Sequence, residues 1–244
     1  MTDERLIAGK NPVREALVAG QAVDKVWVAK DAAVLREMRS LAGARHIPLQ
    51  VVERRRVDAM APGVAHQGVV ARLAAHPYVE SLDDLLAGPG RPGLLFLLDG
   101  VADPHNLGAV LRTAEAAGVQ GVVIPRHRAV GLTPAAAKVA AGAAGMVPVV
   151  RVAGIAAALL TLRREGWKVV GAAHDAPSLF WEADLTPPVA FVVGGEDKGL
   201  SRLVRERCDL LVRIPMAGRI PSLNASVAAA LLAFEAVRQR RGRP

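Results

Sequence analysis

Two textures of hydrophobic patterning divide the chain. From residue 94 onward, short apolar runs alternate with helix-length segments. Leu94-Leu95-Phe96-Leu97-Leu98 is the first run, and Val119 to Ile124, Val147 to Val150, Trp167 to Ala172, Val189 to Val193 and Leu210 to Ile214 follow. Runs of this length, apolar on successive residues, predict strands covered on both faces. Between them the spacing predicts a helix from Asn106 to Ala117 closed by Gly118, and partly helical structure over the Ala/Gly-rich residues 134–145. Further helices are expected from Ala156 to Arg164 closed by Gly166, from Leu200 to Arg207, and from Ser222 to about Arg241. A β-α-β-α rhythm of this kind folds as a mostly parallel sheet with helices on both faces. Ligands of such sheets bind beyond the carboxyl ends of the strands, so the loops after residues 98, 193 and 214 are the ones to inspect.

Residues 1–75 are built differently, from shorter elements. Asn11-Pro12 is expected to start a helix as cap and first-turn proline, ended by Gly20. Val26-Trp27-Val28 predicts a strand. Asp31 is expected to cap a helix that places Val34, Leu35, Met38 and Leu41 on one face and stops near Gly43. Strands at residues 48–52 and 68–71 flank a short helix from Arg54 to Met60. The stretch 76–92, with a short helix from Leu82 to Leu86 and then Gly88-Pro89-Gly90-Arg91-Pro92, is rich in breakers and reads as a linker. The expected organisation is therefore an α/β unit over 1–75, a linker over 76–92 and a larger α/β domain over 93–244.

Composition narrows the class. At 52% hydrophobic residues and a mean hydropathy of +0.27, the chain folds around a core and is not disordered. No charge-free apolar run reaches the ~20 residues of a membrane span, and Met1 to Arg5 lack the apolar stretch of a signal peptide, so a cytoplasmic location is expected. Cys208, the single cysteine, has no partner for an intrachain disulfide and is expected to pack as a small apolar residue. Six histidines show no metal-ligand pairing, so no metal is expected. A net charge of +8 points toward a polyanionic partner, and the charge is clustered: Arg54-Arg55-Arg56 is one block, and Arg238, Arg240, Arg241 and Arg243 are another. The first block is the candidate RNA-phosphate contact. With aromatic residues at only 3%, base stacking is not the dominant mode.

The polar residues that could carry chemistry lie beyond the predicted strand ends. Asn106, read alone, is a helix cap, and Arg112 in the same helix is either a surface arginine or a guanidinium that holds phosphate. Gly194-Gly195-Glu196-Asp197-Lys198-Gly199 follows a strand, and its paired glycines permit positive φ and close backbone approach. It matches neither the Walker loop nor the dinucleotide fingerprint, which argues against a nucleotide-dependent dehydrogenase. Ile214-Pro215-Met216 follows the next strand. Ser222 is expected to cap the last helix, while Asn224 and Ser226, poor helix formers, add polar groups at the same mouth.

Three ordered motifs extend this reading. Asn106-x-Gly108-Ala109-x-x-Arg112-Thr113-Ala114, Gly194-Gly195-Glu196-x-x-Gly199-Leu200-Ser201, and Ile214-Pro215-Met216 with Ser222-Leu223-Asn224-Ala225-Ser226 resemble the SpoU (TrmH-like) family of RNA ribose 2′-O-methyltransferases over residues 93–240. Asn11-Pro12-Val13-x-Glu15-Ala16-Leu17 and His66-Gln67-Gly68-Val69 are similar to the L30e-like substrate-binding domain that some members carry. The two-domain layout most resembles the members that methylate a guanosine of large-subunit (23S) ribosomal RNA. The resemblance implies an α/β fold with a C-terminal SPOUT trefoil-knot methyltransferase domain and a small N-terminal L30e-like domain. It further implies S-adenosyl-L-methionine as donor, a homodimer, donor contacts at Gly194, Gly195, Ile214, Met216 and Leu223, and catalytic roles for Asn106, Arg112, Glu196, Ser222 and Asn224. A guanosine of transfer RNA as the target, or a non-catalytic RNA-binding ribosome assembly factor on the same fold, are the alternatives.

Overall fold

The computed structural model of the protein describes residues 6–88, 93–196, 198–218 and 222–241. Part of the breaker-rich linker, Asp197 and the tail residue Arg243 lie outside these residues. The chain divides into two compact units, residues 1–77 with 131–135, and residues 78–130 with 136–244.

In the first unit a four-stranded sheet runs in the order β1-β4-β2-β3, with β1 at Leu6–Ala8, β2 at Val23–Ala29, β3 at Leu49–Val52 and β4 at Val69–Leu73. Only β2 and β3 are parallel; β4 pairs antiparallel with β1 and β2. Helices α1 (Lys10–Val18), α2 (Leu35–Ala44) and α3 (Arg54–Met60) close a core that includes Leu17, Val26, Val28, Met38 and Val57. Two expected caps are corrected. Helix α1 starts one residue before Asn11, with Gly9 at its N-cap in a left-handed backbone (φ 108°), and Val34 rather than Asp31 precedes α2. Asp31 is instead an ion-pair partner, accepting from Arg54 Nε at 2.7 Å.

The second unit, after α4 (Leu82–Leu86), is a seven-stranded sheet. Its strands are β5 (Leu94–Asp99), β6 (Gly121–Pro125), β7 (Val149–Val152), β8 (Lys168–Ala172), β9 (Ser178–Leu179), β10 (Val189–Gly194) and β11 (Leu210–Arg213). They lie in the order β7-β6-β5-β10-β8-β11-β9, and every adjacent pair is parallel. Burial on both faces explains the unbroken apolar runs. Leu94 to Leu98 are all buried, each worth about 1.5–3 kcal/mol of transfer free energy. Leu95, Leu97, Val123 and Val192 point to Leu159 and Leu162 of α7 (Ile155–Arg164) and Val204 of α8 (Arg202–Arg207). On the opposite face Phe96 meets Phe191 across β5 and β10, with ring centroids 6.2 Å apart. Helix α9 (Ala225–Arg241) packs there on β10 and on α5 (Pro104–Ala116). Between β6 and β7 the chain forms α6 (Pro134–Ala140) and a 3-10 turn at Ala143–Gly145.

The strand order inserts β10 between β5 and β8, although β6 to β9 intervene in sequence. That insertion brings the loop after β10 against the loop after β5. The described residues contain no helix long and apolar enough to cross a membrane.

Candidate active site

Three loops at the carboxyl ends of β5, β10 and β11 build the site. The β5 loop leads into α5, which is capped by Asp103: its side chain accepts from His105 N at 2.9 Å, and Pro104 fills the first turn where no N–H is needed. That backbone hydrogen bond from His105, then its side chain, holds the Asp103 carboxyl below its ordinary pKa. Asn106 is therefore not the cap the sequence suggested. It sits inside the first turn, 5% exposed, with its amide free for other work.

The β10 loop is shaped by close approach. A Cβ on Gly194 would lie 2.1 Å from Gly199 C, and one on Gly195 would lie 2.6 Å from Gly100 O. Neither residue has positive φ; in this loop it is Gly199 (φ 59°) that does. The paired glycines are thus required by contact rather than by left-handed backbone. Asp99 clamps the loop at both ends: its carbonyl accepts from Gly195 N at 2.9 Å and its carboxylate from Ser201 N at 2.8 Å. Past β11 the chain reaches α9, which begins at Ala225. Asn224, not Ser222, is its cap, since Asn224 Oδ1 accepts from Ser226 N at 2.9 Å and from Ser226 Oγ at 2.6 Å.

These caps and turns bring three polar side chains together. Asn106 Nδ2 donates to Glu196 Oε1 at 3.0 Å, Asn224 Nδ2 donates to the same oxygen at 2.6 Å, and Asn224 Nδ2 also lies 2.7 Å from Asn106 Oδ1. Residues 90 and 118 positions apart from Asn106 are joined by direct hydrogen bonds. Two amides fix one carboxylate oxygen; Oε2 has no donor among the described residues.

Beside this triangle lies a cavity of about 310 Å³, within the size range of small-molecule sites. Gly194, Gly195, Glu196, Ile214, Met216, Ser222 and Leu223 all line it. Its wall combines apolar side chains such as Val212, Ile214 and Leu223 with the loop backbones and polar groups at the rim. That donor set suits a ligand with a flat heteroaromatic ring and a polar tail, and S-adenosylmethionine fits that description. His174 and Arg205 line the cavity too and were not foreseen. Arg205 is oriented by a bidentate pair with Asp175, both bonds 2.9 Å, and this hydrogen bond holds the Asp175 carboxyl below its ordinary pKa. The signal that could have found them is the neighbouring of β8 and β10, which no local pattern reveals.

Arg112 stands apart. It is exposed in the third turn of α5, lines no cavity with the other site residues, and forms no hydrogen bond or ion pair among the described residues. Six residues along a helix turn through 600°, so Arg112 and Asn106 face directions about 120° apart. Arg54, Arg55 and Arg56 are exposed on α3 of the other unit, with Arg54 held by Asp31. Cys208 is half-buried; burial, then Asp209, pushes its thiol up to about 12.

Comparison with known proteins bears on this geometry. The SpoU rRNA Methylase family matches residues 93–234, and a second family, described as RNA 2′-O ribose methyltransferase substrate binding, matches residues 6–79. A Pseudomonas putida protein named 23S rRNA (guanosine-2′-O-)-methyltransferase RlmB is 44% identical over 222 residues, 89% of each chain. YacO of Bacillus subtilis, whose TrmH-family name leaves the RNA open between tRNA and rRNA, is 43% identical over 239 residues, 96% of this chain and 95% of that one. Among solved structures, the SpoU methyltransferase AviRb from Streptomyces viridochromogenes in complex with AdoMet superposes with a TM-score of 0.64 at 28% identity, covering 98% of this chain and 91% of that one.

Proposed function

The chain belongs to the SpoU rRNA methylase family, and from that premise we propose that it transfers a methyl group to the 2′-hydroxyl of a guanosine ribose in large-subunit (23S) ribosomal RNA. The fold class is accordingly that of the SPOUT trefoil-knot methyltransferases. The observation that carries the reading is the Asn106–Glu196–Asn224 triangle at the edge of the glycine-walled cavity.

S-adenosylmethionine, when bound, supplies an electrophilic methyl on a sulfonium sulfur. Gly194, Gly195, Ile214, Met216 and Leu223, which line the cavity with Ser222, would hold it. The ribose hydroxyl is a weak nucleophile at neutral pH and must lose its proton as the oxygen attacks. Glu196 Oε2 accepts that proton, and Asn106 and Asn224 keep the carboxylate aimed by bonding its other oxygen; general-base help of this kind is typically worth ~10²–10⁴-fold. Arg112 cannot be the base, because a guanidinium stays protonated. Its role is to hold the adjoining RNA phosphate and stabilise the developing oxyanion.

That role requires Arg112 to reach a site it does not line in its own chain, so the enzyme works as a homodimer. Helix α9, which packs on α5, carries Val227, Leu231 and Phe234 at 45%, 39% and 48% exposure, spaced as one stripe. A second copy seated on this stripe buries it and presents Arg112 to the neighbouring cavity. The N-terminal unit grips the RNA, with Arg55 and Arg56 as phosphate contacts beside Arg54, whose guanidinium Asp31 already holds; this gives residues 1–75 to substrate binding, 76–92 to the linker and 93–244 to catalysis.

The test is incubation with radiolabelled S-adenosylmethionine and, in parallel, unmodified 23S rRNA and bulk transfer RNA, followed by mapping of alkali-resistant linkages. Label at one guanosine of 23S rRNA is expected. Label confined to transfer RNA would move the substrate, and label on neither would leave an RNA-binding assembly factor.

A further inference from the structure

The loop after β6 carries a second set of cations that the reaction above does not use. Arg126 follows Pro125, its N–H donating to Val152 O at 2.8 Å. Its Nε is buried and has no hydrogen-bond acceptor among the described residues. Arg151 pairs with Ile124 across β6 and β7, so it projects from the same face as Arg126 two residues on. There its guanidinium lies over the Tyr78 ring, 4.0 Å from the centroid. Burial first, and then the Arg151 charge, pull the Arg126 pKa down. A guanidinium with one buried, unbonded N–H beside a like charge is an arrangement that an anion would stabilise.

The next residues connect this pair to the active site. His127 and Arg128 line a groove of about 1090 Å³ whose other walls include Asn106, Glu196 and Lys198. Arg128 is exposed and held at φ 59°, a backbone position non-glycine residues rarely adopt. The groove's three carboxylates are already engaged, Asp99 by Ser201 N, Asp103 by His105 N and Glu196 by the amides of Asn106 and Asn224.

We propose that Arg126 and Arg128, with Arg151 beside them, form a phosphodiester-binding site that holds the RNA strand next to the reacting ribose. The inference rests on RNA being the substrate and extends it to the strand's path: past the Asn106–Glu196–Asn224 triangle, along the groove, and over the end of β6. RNA is favoured over an acidic protein surface because the groove is continuous with the proposed catalytic carboxylate. Each phosphate contact on a single strand contributes about 0.7 to the slope of log K against log salt.

The experiment measures retention of an unmodified 23S rRNA transcript by the full-length protein from low to moderate KCl, for wild type, Arg126→Gln, Arg126→Lys and Arg128→Gln. Both glutamine variants are expected to bind more weakly, with slopes shallower by about 0.7 each, while Arg126→Lys keeps the slope. Donor affinity is expected to hold, and the melting temperature of Arg126→Gln to stay level or rise, since a repelled charge is removed. Slopes unchanged in both glutamine variants of a protein whose wild type methylates the RNA would overturn the site and leave the function standing. Loss of fold in Arg126→Gln together with an unchanged slope in Arg128→Gln would assign the loop a structural role instead. A wild type that neither binds nor methylates RNA would remove the functional reading itself, and this site with it.

Discussion

Arg238 and Arg240 near the end of α9 and the arginine on the outer face of α5 are equally prominent in the sequence and opposite in the structure. Arg240 is sunk against the chain, donating to the carbonyls of Pro187 at 2.6 Å and of Leu185 and Gly93 at 3.1 Å each. Arg238 is closed onto Glu235 by two bonds of 2.8 and 2.7 Å. Arg112 has no such partner among the described residues. A cluster of basic residues therefore says little about where a polyanion binds until the satisfied guanidiniums are set aside. Those engaged with carbonyls and carboxylates belong to the fold; those left without acceptors are the ones a phosphate can complete.

Variants at the two regions should separate accordingly. Arg112→Ala is expected to lower kcat by about 10²–10³-fold with donor affinity and melting temperature preserved, read by single-turnover methylation and calorimetric titration. Equal loss of donor affinity would break the contrast. Glu196→Gln keeps an acceptor for the two asparagine amides but cannot take a proton, and should cost about 10²-fold or more in kcat at unchanged donor affinity. Arg240→Ala should do the reverse, destabilising by about 2 kcal/mol because carbonyls lose a charged donor, while the folded fraction methylates normally; urea denaturation checks it.

The smallest effect concerns pH. The hydrogen bond from Arg238 holds the Glu235 carboxyl below its ordinary pKa. A depressed folded-state pKa adds stability above the unfolded carboxylate value, about 4.3, and that stability is lost as pH falls through the folded value. Any stability difference between wild type and Arg238→Ala near neutrality should thus vanish in acid, as melting curves at pH 7 and pH 3 would show. A difference that persisted in acid would mean that Arg238 acts through something other than Glu235.

The same contrast explains what was readable beforehand. The parallel sheet was legible because strands buried on both faces must be apolar throughout, as Leu94 to Leu98 and Val189 to Val193 are. Strands β1 and β9 were missed because three and two residues at a sheet edge carry too little pattern. Helix starts were misplaced where two capping residues compete. Asp103 with Pro104 outranks Asn106, and Asn224 outranks Ser222, and in both cases the displaced reading hid a site feature: Asn106 is free to hold Glu196 because Asp103 does the capping. His174, Arg205 and the engagement of Arg240 depend on strand order and on carbonyls more than fifty positions away, which local pattern cannot encode.

The central claim is that Arg112 of one chain completes the Glu196 site of another, and mixing two inactive variants tests it directly. Arg112→Ala and Glu196→Gln are unfolded together and refolded at equal concentration, and methylation of 23S rRNA is measured. In a symmetric dimer half the assemblies are mixed, and each mixed dimer has one site with both residues intact if Arg112 acts across the interface. The expected rate is roughly a quarter of wild type per chain. A mixture as inactive as its components, with mixed dimers confirmed by mass spectrometry, would contradict the account.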